Sequence, residues 1–157
     1  MTTGTGSSSS LYYPTISDSS MAVYNFDIPA SYLNMTCDLV WALPNKDQLA
    51  YSSYQEHPIP PPTEQSGANV PPNDLTAFLL SAPGALNMTT ATFPAIVGQG
   101  PIDVFLAHGL TTISSGPCPA GETVGYAMWI AYPGYNYSLT YFQDYSPCAI
   151  GLFIQAH

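Results

Sequence analysis

Proline occurs sixteen times in this chain, and no other feature limits the fold as much. Proline fixes φ, donates no backbone hydrogen bond and breaks the interior of a helix or a central strand. No stretch of about 11 or more residues keeps a helical period between recognisable caps. The segments left between the breaks are short, β-branched or aromatic, and bounded by Gly, Pro, Asn or Ser, which is the pattern of strands. Residues 22–28 place Val23 and Phe26 among apolar neighbours and stop at Pro29. Residues 36–43 put Cys37, Leu39 and Trp41 on one face by period two and end at Pro44. Further strands are predicted over 75–80, 102–107, 123–131, 137–142 and 149–154, and single helical turns over 30–33 and 45–49. The sum is an all-β fold: a single-domain antiparallel β-sandwich of roughly 7–9 short strands with a Pro-rich loop.

A chain of 157 residues has room for one core. Residues 1–10 form a low-complexity Gly/Ser/Thr tract, flexible by composition, ahead of a sandwich domain over 11–157. The Pro-rich stretch at 55–72 reads as a stiff surface loop.

Charge narrows the function. Lys46 is the only Lys or Arg against ten acids, for a net charge of −9. Phosphate binding needs several cationic side chains, so nucleic acid is excluded as a partner. An anionic membrane surface is excluded on the same ground. No apolar run reaches the roughly 18 residues a spanning helix needs. Low charge with abundant Ser, Thr and Tyr suits an extracellular protein. The first four residues lack the basic and apolar regions of a signal peptide, so a secreted form is expected to have lost its leader.

Three cysteines, Cys37, Cys118 and Cys148, make one disulfide plus a leftover thiol the simplest accounting. The odd thiol is either buried and inert or pairs between chains. Three N-glycosylation sequons occur, at Asn34, Asn87 and Asn136, where chance predicts roughly one. His57, His108 and His157 share no metal-ligand spacing, and there is no C-x-x-C, so neither metal nor cofactor is expected. No G-x-S-x-G elbow supports a serine nucleophile, and the chain is read as not an enzyme. Gly98-Gln-Gly100 leads into Pro101, not into a helix, and cradles no phosphate. Asp144 is expected to accept backbone hydrogen bonds in a turn. Asp27 and Asp38 are expected to face solvent from strands.

Twelve tyrosines exceed what a small core absorbs. Uncharged Tyr-rich loops suit sugar stacking and protein contacts, because the ring gives area at low entropic cost. Tyr132, Tyr135 and Tyr137 are the candidate binding aromatics. Leu11, Tyr12 and Tyr13, behind the flexible tract, are the candidate assembly segment, reaching an open sheet edge of a second copy.

Phe26-Asp-Ile-Pro29, Thr36-Cys-Asp-Leu-Val40, Leu43-Pro-Asn-Lys-Asp-Gln-Leu49, Pro117-Cys-Pro-Ala-Gly-Glu-Thr-Val-Gly-Tyr126 and Tyr141-Phe-Gln-Asp-Tyr-Ser-Pro147, leading into residues 150–154, recur in the order of a known pattern. They resemble a fungal family named for the C-terminal domain of But-two, a protein that binds a ubiquitin-like activating enzyme subunit. The resemblance covers roughly residues 11–50 and 117–154. It implies a small secreted or cell-wall-associated β-domain and a disulfide between Cys37 and Cys118. It supplies no catalytic residue, and the intracellular interaction behind the name is not transferred to a chain with sequons and cysteines. The sequence departs from the pattern between about Ser52 and Pro101 and at Cys148. The expected function is a secreted fungal cell-surface structural or adhesive domain whose partner is itself. The alternative is a carbohydrate-binding module whose partner is cell-wall polysaccharide.

Overall fold

The computed structural model describes residues 13–17, 19–49, 54–57, 74–85, 88–89, 91–103, 109–130, 138–142 and 149–157. These hold ten strands and no α-helix. The strands are β1 (Thr15–Ser17), β2 (Ala22–Asp27), β3 (Thr36–Leu43), β4 (Tyr54–His57), β5 (Asp74–Leu80), β6 (Ile96–Asp103), β7 (Gly109–Pro117), β8 (Thr123–Ile130), β9 (Ser138–Tyr141) and β10 (Gly151–Ala156). They pair as three sheets ordered β2-β8-β5-β6, β10-β3-β7 and β1-β9-β4. Every pairing is antiparallel. The fold is the expected β-sandwich, with ten strands where roughly 7–9 were expected.

The two expected helical turns are present as 3-10 turns, Ala30–Tyr32 and Lys46–Gln48. β1, β4 and β7 were not foreseen, and β6 begins six residues before the strand predicted over 102–107. β7 reads Gly-Leu-Thr-Thr-Ile-Ser-Ser-Gly-Pro, too polar to announce itself. It forms because β3 is eight residues long and offers a free ladder edge on the side away from β10. Strand preference is largely packing context of this kind. Gly98 and Gly100 lie inside β6 instead of preceding a strand.

Two prolines fall within strands, Pro101 in β6 and Pro117 at the end of β7. Both strands are sheet edges in the described pairing. That is where a residue without an N–H can sit without orphaning a ladder acceptor.

One core joins all three sheets. Ile16, Leu39, Trp41, Leu43, Leu75, Met128, Ile130, Leu139, Tyr141, Ile150 and Leu152 pack together, each almost fully buried. The period-two reading of β3 holds, since Leu39, Trp41 and Leu43 all enter this cluster. Val40 and Ala42 on the opposite face are buried as well. At the centre Trp41 meets the Tyr141 ring edge-on, with centroids 5.5 Å apart at 84°. The hydroxyls of Tyr24 and Tyr141 hydrogen-bond each other across the interior.

The β2-β8-β5-β6 sheet is covered on its second face too. Phe78, Leu80 and Ala127 form a smaller cluster with Val23, Phe93 and Trp129. Phe93 comes from the 81–95 connection, which folds back over the sheet.

Candidate functional site

The chemistry-bearing side chains collect at one end of the sandwich, around the start of β3 and the end of β7. Thr36 pairs with Pro117 and Cys37 with Gly116, so β3 and β7 come together there. Cys118, one residue past β7, is bonded to Cys37, with Cα atoms 4.8 Å apart. The Cys118 N–H also donates to the Met35 carbonyl at 3.0 Å. The disulfide thus fastens a junction that the ladder already aligns, and it ties together residues 81 positions apart.

Asp38 lies mid-sheet, with Gln155 of β10 on one side and Ser115 of β7 on the other. Its Oδ2 is 3.2 Å from Nε2 of His157. The Ser115 hydroxyl and the His157 imidazole hold the carboxyl below the usual carboxylate range, against the opposing pull of partial burial. His157 itself is fixed by reciprocal backbone hydrogen bonds with Thr36, each 2.9 Å. Simple outward solvation therefore does not describe Asp38, whose side chain is 22% exposed. Asp27 is exposed as expected, and accepts a 2.6 Å hydrogen bond from the Thr123 hydroxyl.

The order Ser115–Asp38–His157 matters chemically. A nucleophilic serine needs its hydroxyl against an imidazole that takes the proton. Here the carboxylate sits between hydroxyl and imidazole, so the set anchors β10 to β3 and β7 without activating Ser115.

Beside this network a shallow groove of about 150 Å³ opens between the sheets, lined by Cys37, Leu39, Pro117, Pro119, Tyr126 and Ile154 among others. It is smaller than the several hundred cubic ångströms usual for small-molecule sites.

A second arrangement, which sequence reasoning missed, lies on the outer face of the β2-β8-β5-β6 sheet. Asn25 grips the 81–85 segment twice: its Nδ2 donates to the Gly84 carbonyl and its Oδ1 accepts from the Gly84 N–H, both at 2.8 Å. Asn25 is paired with Gly125 across the β2–β8 ladder. A Cβ on Gly125 would lie 2.9 Å from the Ala82 carbonyl oxygen and 3.0 Å from Pro83 Cα. The glycine in mid-strand is therefore the clearance that lets the segment lie flat. An isolated Gly inside a strand pattern is a known sign of close backbone approach, and Gly125 carried that signal.

Of the other expected site residues, Asn34 is exposed on a turn. Tyr13 is 55% exposed and packs its ring 5.1 Å from that of Phe142, just before edge strand β1. His57 lies in β4. Leu11, Tyr12, Asn87, His108, Tyr132, Tyr135, Asn136, Tyr137, Asp144, Cys148, the 1–10 tract and most of the Pro-rich loop lie outside the described residues. No described helix is long and apolar enough to cross a membrane.

Comparison with known proteins adds one finding. The family model described as "Ubiquitin 3 binding protein But2 C-terminal domain" matches residues 3–147. No curated protein and no solved structure matches significantly. The match spans nearly the whole chain, including the Cys37–Cys118 junction and the Asn25–Gly125 face, and the chain belongs to the But2 C-terminal-domain family.

Proposed function

We propose that this chain is a secreted fungal cell-surface structural or adhesive domain that works by presenting its surface to copies of itself, not by catalysis. The observation that carries this reading is the apolar side chains that the rim strands β6 and β7 expose. Each is an edge strand in the described pairing. Ile96 and Val97 of β6 are 51% and 61% exposed, and Leu110 of β7 is 75% exposed. Soluble proteins usually guard such edges with charge or proline; here Pro101 and Asp103 stand at the end of β6 and Pro117 at the end of β7, and no charge stands in β6 at Ile96–Val97 or in β7. Bulges at Val97 and Ile113 interrupt both ladders and keep the rim from being a flat template. Association there is short-ranged and apolar, because a net charge of −9 makes copies repel at distance.

The disulfide and the three sequons support an extracellular setting. The test is sedimentation of the full chain at pH 7, where its net charge is −9, and near its pI of 4.1. Assembly should strengthen towards the pI. It should be lost on Val97→Lys with Leu110→Lys, while deletion of residues 1–13 measures the share carried by the Leu11–Tyr13 segment. Monomers under all conditions would end this reading in favour of glycan binding through Tyr132, Tyr135 and Tyr137, for which retention on wall polysaccharide is the direct assay.

A further inference from the structure

We infer that Asn34 carries an N-linked glycan that covers the exposed apolar turn beside the disulfide. The inference rests on the extracellular reading and names one position for the modification.

The residues 32–35 form a β-turn closed by the Met35 N–H donating to the Tyr32 carbonyl at 3.0 Å. Leu33 has φ −56° and ψ 131°, and Asn34 has φ 67°, the only positive φ at a non-glycine residue among those described. These are the angles of a type II turn, whose third residue must adopt a left-handed conformation and is usually Gly or Asn. Glycine would satisfy that backbone need equally well. Asparagine supplies something more: an exposed amide that makes no hydrogen bond with any described residue. Two residues on stands Thr36, the hydroxyl-bearing residue that completes Asn34-Met35-Thr36 as an acceptor sequence.

The surroundings fit a sugar. Leu33, next to the acceptor, is 69% exposed, an apolar side chain with no cover. Tyr32, at the start of the turn, is half-buried and its neighbours Ala30 and Ser31 are exposed. The carbonyl of Met35 accepts from Cys118 and the backbone of Thr36 is bonded to His157, so the turn stands on a rigid base. A glycan there projects into solvent without disturbing the core, and its first residues lie over Leu33.

The transfer balances simply. Asn34 Nδ2 forms a bond to the anomeric carbon of a lipid-diphosphate-linked oligosaccharide. The bond from that carbon to the diphosphate oxygen breaks, the lipid diphosphate leaves, and one amide proton goes to the transferase base.

The test is peptide mapping of the native protein after enzymatic deglycosylation in heavy-oxygen water, which marks each formerly glycosylated Asn as labelled Asp. The proposal expects the mark at position 34. In parallel, the full chain secreted from a eukaryotic host behind a cleavable leader should lose one glycan mass on Asn34→Gly, with unchanged circular dichroism because glycine suits the turn. Native protein marked at Asn87 or Asn136 but not at Asn34, or secreted with no mark, overturns the site and leaves the extracellular reading standing. Native protein that is unmarked and recovered only inside cells overturns both.

Discussion

The two faces of the β2-β8-β5-β6 sheet are both covered, by opposite means. Its inner face, through Ala22, Leu75, Ala77, Met128 and Ile130, merges with side chains from the other two sheets in one large cluster. Its outer face carries only a small cluster around Phe78 and Leu80, and the connection above it is held by the Asn25 amide. The inner face is stabilised by area removed from water, which many residue combinations supply. The outer face depends on fit at single positions: an amide where the strap needs a donor and an acceptor, and no side chain at Gly84 or Gly125. A Cβ on Gly84 would come within 2.6 Å of Val23 Cγ1. Loss of inner contacts should therefore weaken the whole domain, and loss of outer ones should free one segment.

The largest effect belongs to the inner face. Trp41 is fully buried and packs edge-on against Tyr141, so Trp41→Ala is expected to cost about 3–5 kcal/mol. Its Nε1 is a buried donor without a partner among the described residues, a liability of about 1–3 kcal/mol that truncation removes. Trp41→Phe, which keeps the ring and drops the donor, should therefore cost far less. Urea unfolding of both variants checks this. Equal losses for Ala and Phe would show that a phenyl ring recovers none of the indole's packing and that the indole N–H is no liability in the parent.

On the outer face, Gly125→Ala is expected to cost roughly 1–3 kcal/mol, because the atoms in the way are backbone and cannot rotate aside. The loss should be local. Amide exchange should accelerate at Ser81, bonded to the Ala95 carbonyl, and at Gly84, bonded to Asn25, while the β5–β8 ladder stays protected. Gly98→Ala is the control, since its Cβ would meet nothing nearer than 3.5 Å. If the two alanines behave alike, the strap is not seated by clearance at Gly125.

Asn25→Ala removes both strap hydrogen bonds and is expected to cost about 1–2 kcal/mol, less than the clash because water replaces an exposed amide. Asn25→Asp keeps the acceptor for Gly84 N–H and sets a carboxylate against the Gly84 carbonyl. It should release the strap as alanine does. A variant as stable as the parent would show that Phe93 packing alone holds the outer cover.

This contrast also explains what the sequence made legible. Period-two alternation identified β3, and short apolar runs bounded by turn residues identified β5 and β8, because one face of each enters a continuous apolar core. The resemblance to a known pattern supplied the Cys37–Cys118 pairing, which spacing alone left open. β7 escaped because Thr, Ser and Gly dominate it and its place is fixed by the free edge of β3. The Asn25–Gly84–Gly125 fit escaped because Gly125 inside a strand pattern marks a close backbone approach but not the segment that makes it. The Ser115–Asp38–His157 set escaped for a related reason: its members come from β7, β3 and the residue after β10, brought together only by register.

The smallest effect at neutral pH, and the most specific, concerns the hydroxyl pair at the centre of the inner face. Burial pushes the phenols of Tyr24 and Tyr141 well above their ordinary value, with burial the leading cause in each. Tyr141 is raised further by Tyr24, which would repel it as a phenolate. Replacing both with Phe removes donor and acceptor together and should change neutral stability by less than about 1 kcal/mol, whereas either Phe alone leaves one buried hydroxyl unpartnered and costs about 1–3 kcal/mol. The pH dependence has a definite sign. Above about pH 10, the ordinary tyrosine value, the unfolded chain releases phenol protons that the folded chain keeps. The unfolded state then binds fewer protons, so stability falls as pH rises, and the contribution present below that value is lost as pH climbs towards the raised values. The parent should lose more stability between about pH 8 and about pH 11 than the double-Phe variant does. Half-buried Tyr126, also raised by burial, keeps a residual slope in both proteins. Denaturant midpoints at the two pH values measure the difference. Equal losses would mean that the two phenols ionise in the folded protein as freely as in the unfolded chain, and that the inner face is wetter at its centre than its packing implies.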